Sequence, residues 1–231
     1  MISDNVRKIR ERIVEISRET GRETLPRLVG VTKKRSLQEV QDLIAAGVLD
    51  LGENRWDEWE LKAKILEEDP EHPVSWHFIG GLQSRSLRRY YRPIFRIDSL
   101  DSIEHARFLS DLARSHAKRQ NVLLEVNLLR DPGRSGFLSE SIEFQIGQMA
   151  DLPGILLRGL MVMGPVPDPL GDRTPTVKVF EEGWALWSGL KRNWPFLEEL
   201  SMGMSEDYEE GIRCGATEVR IGRYLFEEGL P

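Results

Sequence analysis

The chain has one cysteine, Cys214, in 231 residues. An intrachain disulfide is excluded, as is a zinc site built from cysteines, and a reducing cytoplasm is the expected compartment. No apolar run approaches the ~20 residues that span a bilayer. The first twenty residues are broken by charge every few positions and lack the apolar segment of a secretory signal, so a soluble protein is expected. Excess positive charge is missing as well. The net charge is −6, which gives no support to a nucleic-acid surface. No set of His, Asp, Glu and Cys has metal-ligand spacing, so no metal is expected. No G-x-S-x-G elbow and no close carboxylate pair occur, which weighs against a serine hydrolase and a glycosidase. Linkers, composition breaks and internal repeats are also lacking, so residues 1–231 read as one domain.

What is present is an alternation of two periodicities. Val6, Ile9, Ile13 and Ile16 mark one face of an opening amphipathic helix that stops near Gly21. Short apolar strands then alternate with helices. Strands are expected at 28–32, 48–52, 76–79, 94–97, 122–128, 155–163 (broken at Gly159), 200–202 and 218–222. The intervening helices include one running to about Glu68, with a loop from Asp69 to Pro73, and one capped by Ser205 and ending at Cys214. The helix near residue 100 is expected to be capped by Ser99 or Asp101. Eight strand–helix units in this length predict an α/β fold, a single (β/α)8 TIM barrel with an extra N-terminal helix. A doubly wound open sheet is the second choice.

The stretch Leu25–Arg35, LPRLVGVTKKR, anchors the functional reading. An apolar strand ends in three cations, Lys33, Lys34 and Arg35, followed directly by the capping-box sequence Ser36-Leu37-Gln38-Glu39. A helix start disfavours nearby cations, so an anion or a carbonyl group between them explains the arrangement better. Barrel active sites lie at the C-terminal strand ends, with phosphate commonly bound by the loops after strands seven and eight. Here those loops are Ser201–Ser205 and Arg220–Arg223. A lysine amine on strand one and a phosphate cradle at the far end describe a site for an aldehyde phosphate, since the amine forms a Schiff base with the carbonyl. Alternation leaves Lys33 and Lys34 both open as that amine.

The ordered series LVGVTKK, DLGEN, WHFIGGLQS, IDSLDS, LLEVN, GLMVMGP and LSMGMSEDYEEGIRCGATEVRIG resembles the pyridoxal phosphate homeostasis proteins. These look like the barrel domain of bacterial alanine racemase standing alone. The resemblance runs from about Arg27 to Phe226. It implies pyridoxal 5′-phosphate (PLP) held as an aldimine on Lys33, with Arg220 facing the pyridine nitrogen. Ser201, Gly203, Ser205 and Gly222 take phosphate-loop positions, and Asn54 and His77 take positions lining the cofactor. Arg223 replaces a small hydroxyl residue usual in the family, and its guanidinium either replaces that contact or points away. Gly81 stands for a histidine, and Arg85-Ser86 for Asn-Lys. An arginine beside the ring nitrogen keeps it unprotonated and makes the ring a poor electron sink. The implied function is a PLP-binding protein of intracellular vitamin B6 homeostasis without strong turnover and with no catalytic residue. The alternative is a PLP-dependent racemase using Lys33 and His77 or water as bases, and none of Tyr90, Tyr91, Tyr208 and Tyr224 has an obvious claim to that role. A third reading is a barrel for another phosphorylated metabolite. The expected partner is PLP, with transient contacts to PLP-dependent enzymes, no membrane and no nucleic acid, in a monomer or weak dimer. Arg85, Arg88, Arg89 and Arg92 read as a solvated basic face, and Trp184 and Trp187 as helix packing on the barrel.

Overall fold

The computed structural model describes residues 1–66 and 73–227. Eight parallel strands close into a barrel in sequence order. They are β1 (Arg27–Val31), β2 (Asp50–Glu53), β3 (Ser75–Phe78), β4 (Arg96–Leu100), β5 (Gln120–Val126), β6 (Ile155–Val162), β7 (Glu199–Met202) and β8 (Glu218–Ile221). The β1–β8 pairing, with Val29 beside Arg220 and Gly30 beside Ile221, completes the ring and sets aside the open sheet. The helices are α1 (Ile2–Glu19), α2 (Leu37–Ala45), α3 (Trp56–Leu66), α4 (Ser84–Tyr90), α5 (Ile103–Ser115), α6 (Ile142–Met149), α7 (Thr174–Asn193), α8 (Tyr208–Arg213) and α9 (Arg223–Phe226). No helix among the described residues is long and apolar enough to cross a membrane.

Local chemistry explains the elements that carry the site. The face predicted for α1 is the buried one, and Ile2 and Asn5 extend it. Asn5 Nδ2 donates to the carbonyls of Leu225 and Glu227, tying α1 to the chain end beside the barrel mouth. The α2 capping box forms in both directions. The Ser36 hydroxyl accepts from the Glu39 amide, and the Glu39 carboxylate accepts from the Ser36 amide. Strand residues facing outward pack on helices. Trp56 of α3 stacks on Phe78 at 4.1 Å between ring centres and meets Trp59 edge-on at 5.4 Å.

Four expectations need correction. The fourth strand extends to Leu100, so Asp98 and Ser99 lie in it, and Ser102 caps α5 by accepting from the His105 amide. The sixth strand runs on through Gly159, although its register against β5 shifts just before it, from Val122 beside Leu157 to Leu123 beside Gly159; a Cβ at Gly159 would lie 1.8 Å from the Glu199 carbonyl oxygen, so only glycine allows β6 and β7 to approach so closely. The eighth helix begins later than expected, with Asp207 rather than Ser205 before its first turn. Strand two begins at Asp50 rather than Val48. The expected loop from Asp69, and the end of the preceding helix, fall outside the described residues apart from Pro73.

Candidate functional site

A cavity of about 300 Å³ opens at the C-terminal mouth of the barrel. Its wall carries Lys33 from the turn after β1, Arg220 and Gly222 from β8 and its end, and Ser205 and Arg223 from the last two loops. Five of the nine residues singled out from the sequence thus meet around one space. Val31, Ile79, Pro165, Pro167 and Met204 supply apolar surface, and Glu206 and Asp207 add carboxylates. Sequence reasoning missed Ile79, the two prolines and both carboxylates. The prolines lie in the longest loop, and the carboxylates directly follow Ser205, so their place beside the expected phosphate loops was the available signal.

The Lys33 turn is held from beneath. Thr32 is buried, and its hydroxyl donates to Glu53 Oε1 at 2.7 Å. Lys62 of α3 donates from Nζ to the same oxygen at 2.6 Å and to the Thr32 carbonyl at 2.8 Å. Lys34 takes a left-handed φ of +59°, and its amide donates to Glu58 of α3. Arg35 turns to Glu39 and Glu227 and lies over the Phe226 ring. Of the three consecutive cations, only Lys33 lines the cavity. Its amine has no hydrogen-bond or ion-pair partner among the described residues, the state that a nucleophilic amine requires.

Arg220 forms part of the cavity wall and is buried. Its Nη1 donates to the Ser201 hydroxyl at 2.7 Å and its Nη2 to the Val162 carbonyl at 3.1 Å. Ser201 in turn donates to Glu218 Oε1 at 2.6 Å. Burial lowers the Arg220 pKa from its ordinary value, while Glu218 and other carboxylates oppose that shift. Gly222 donates its amide to the Ser205 hydroxyl at 3.2 Å, which joins the two late loops. That bond explains why Ser205 does not cap α8. Asp207 stands there instead, accepting the Met204 amide at 2.5 Å, and burial pushes its carboxyl pKa upward. Arg223 pairs with Glu206 at the rim.

Four residues implied by the resemblance lie off this wall. Ser201 sits one layer deeper and supports Arg220 rather than a loop. Gly203 is a backbone hinge at φ +96°, where a Cβ would meet Tyr208 Cα at 2.9 Å. Asn54 packs its carbonyl against Gly80 at the end of β2, off the cavity wall. His77 lies inside the barrel below the cavity, bonded through Nδ1 to Asp98 at 3.3 Å and through Nε2 to Asp50 at 3.1 Å. The strand alternation gives His77 its inward direction, but the layer it occupies holds charges rather than a ligand.

That layer is a buried ion network that the sequence reading did not anticipate. Arg96 donates to Asp98 at 2.6 and 3.0 Å and to both oxygens of Glu218 at 2.6 Å. It also pairs with Glu199, and Arg27 reaches Glu199 and Glu218 from the N-terminal end. His77, Asp98 and Glu218 bring ligand atoms within 4.8 Å of one another, but the Arg96 guanidinium already supplies the matching positive charge. Burial disfavours the charged imidazole of His77, yet Asp98 and Asp50 outweigh it and raise its pKa to about 9.

Residues 4–228 match the alanine racemase N-terminal domain family. The pyridoxal phosphate homeostasis protein of Synechocystis sp. is 35% identical over 90% of this chain and 94% of its own. The chain belongs to the pyridoxal phosphate homeostasis protein family. PipY of Synechococcus elongatus, a structure with PLP bound, is 28% identical, covers 98% of this chain and all of its own, and superposes with a TM-score of 0.82. Alanine racemase of Clostridium difficile, at 17% identity and a TM-score of 0.75, shares the fold over 99% of this chain and 57% of its own. Within the homeostasis family this chain therefore presents a complete barrel whose mouth gathers Lys33, Arg220 and the two late loops.

Proposed function

We propose that this chain binds PLP at the barrel mouth through Lys33 and serves as an intracellular holder of the cofactor in vitamin B6 homeostasis, without strong turnover. The observation that carries this reading is the convergence of a lysine amine with no partner among the described residues, a buried arginine and two polar loops on one cavity of about 300 Å³. The group fits these residues. The cavity lies at the lower end of the range for small-ligand pockets. Lys33 would meet the aldehyde, Arg220 the ring nitrogen, and Ser205, Gly222 and Arg223 the phosphate. When bound, the cofactor supplies an electrophilic aldehyde carbon. Lys33 provides the amine, Arg220 denies a proton to the ring nitrogen, and the apolar wall of Val31, Ile79 and the prolines limits water. PipY, solved with PLP bound, and the name carried by the Synechocystis relative support the assignment.

The racemase alternative is less well supported. It needs a second base beside the substrate, and no tyrosine or histidine lines the cavity among the described residues. A cytoplasmic location, transient delivery to PLP-dependent enzymes and a monomeric or weakly dimeric state complete the proposal.

The test is spectroscopic. Purified protein incubated with PLP is expected to show an absorption band near the visible edge that borohydride and Lys33→Ala each abolish. A protein that binds PLP without such a band refutes the attachment. Incubation with L-amino acids in heavy water is expected to give no sustained deuterium uptake at Cα, and steady uptake would establish the racemase instead.

A further inference from the structure

We propose that Arg223 reads the ligand's phosphate and that Glu206 acts as its gate, a resident counter-charge that an incoming phosphate monoester displaces. This rests on the PLP reading above and names the group that selects the phosphorylated form over the bare aldehyde.

The two residues stand on different loops, after β7 and after β8, and both line the cavity. They form an ion pair at its rim with side-chain exposures of 37% for Glu206 and 49% for Arg223. The other cations of the wall are committed elsewhere. Arg220 is held by Ser201 and the Val162 carbonyl, and Lys33 is the attachment amine. Arg223 is the cation of this wall whose guanidinium is held by an exposed carboxylate. An exposed pair of this kind is weak. A phosphate offers the guanidinium two oxygens in fork geometry and up to two negative charges, which is the stronger partner. Glu206 then faces the phosphate as a like charge at short range. Its carboxylate lowers the affinity that Arg223 alone would give, and it recaptures the guanidinium when the ligand departs. A holder that must give up its cofactor benefits from such a built-in competitor.

Both side chains are partly exposed, so single substitutions are expected to leave the fold intact. Calorimetric titration of the full chain with PLP, and separately with pyridoxal, tests the proposal. Arg223→Ala is expected to weaken PLP binding about tenfold, and Glu206→Gln to tighten it roughly threefold, as charge-assisted contacts of this kind imply. Both variants should leave pyridoxal affinity within about twofold of the wild type. Unchanged PLP affinity in both variants overturns the gate while the PLP reading stands. Equal changes for PLP and pyridoxal also overturn it, because the phosphate is then not what is read. A wild-type chain that fails to bind PLP refutes the parent reading, and the gate with it.

Discussion

Lys33 owes its position to contacts that its own side chain does not make. Thr32 before it is fixed by Glu53 and Lys62, and Lys34 after it is fixed by Glu58. A buried ion pair contributes little net stability but orders the groups around it, which suits a turn that brings Lys33 to the cavity wall. His77 gives the residue scale its pH test. Its folded pKa of about 9 lies above the ordinary 6.5, so the native state binds a proton that the unfolded chain releases. The resulting stability is fully present below pH 6.5 and is lost as pH rises through about 9. Urea midpoints measured from pH 6 to pH 10 are expected to fall across that window, and His77→Asn is expected to flatten the fall. A wild-type curve with no such slope contradicts the buried charge. The turn that carries Lys33 was legible in the sequence because a strand end, a run of cations and a capping box adjoin there, although these signals left Lys33 and Lys34 both open. His77 and Ser201 lie below the cavity wall for one reason: alternation gives a side chain's direction, whereas depth in the barrel depends on strand stagger. Arg96 and Glu218, whose pairing fixes that depth, are 122 residues apart, beyond the reach of any local pattern.

Among the elements, α2 was read from its chemistry and forms as read. Ser36→Ala removes half of its capping box and is expected to cost about 1 kcal/mol in a urea titration. A change within error would mean that tertiary packing alone sets the helix start. The start of α8 shows the limit of the same reasoning. Ser205 and Asp207 are both good capping residues two positions apart; the Ser205 hydroxyl is taken by the Gly222 amide of the neighbouring loop, and Asp207 precedes the helix without a side-chain cap. Strand β6 shows a further limit. A glycine within a strand pattern reads as a break, yet at Gly159 it permits close contact with the Glu199 backbone. The shift of β4 toward Leu100 has a related cause, since Asp98 and Ser99 are polar residues that non-local partners satisfy, Arg96 for the one and the Gly80 carbonyl for the other.

For the molecule as a whole, barrel closure converts a linear list of weak signals into one site. Lys33 and Arg220 are separated by most of the sequence and become neighbours because β1 pairs with β8. The barrel interior below the mouth holds opposite charges paired through Arg96, which give the cavity an ionic floor. The eight-unit alternation made the fold legible, whereas this ionic floor lay outside what apolar periodicity reports. The central claim is that the amine of Lys33 is the point of attachment, and peptide mapping addresses it directly. Loaded protein is reduced with borohydride, digested and analysed by fragmentation mass spectrometry. The account predicts one pyridoxyl group per chain, on Lys33, whereas a label on Lys34, or one scattered over surface lysines, would contradict it.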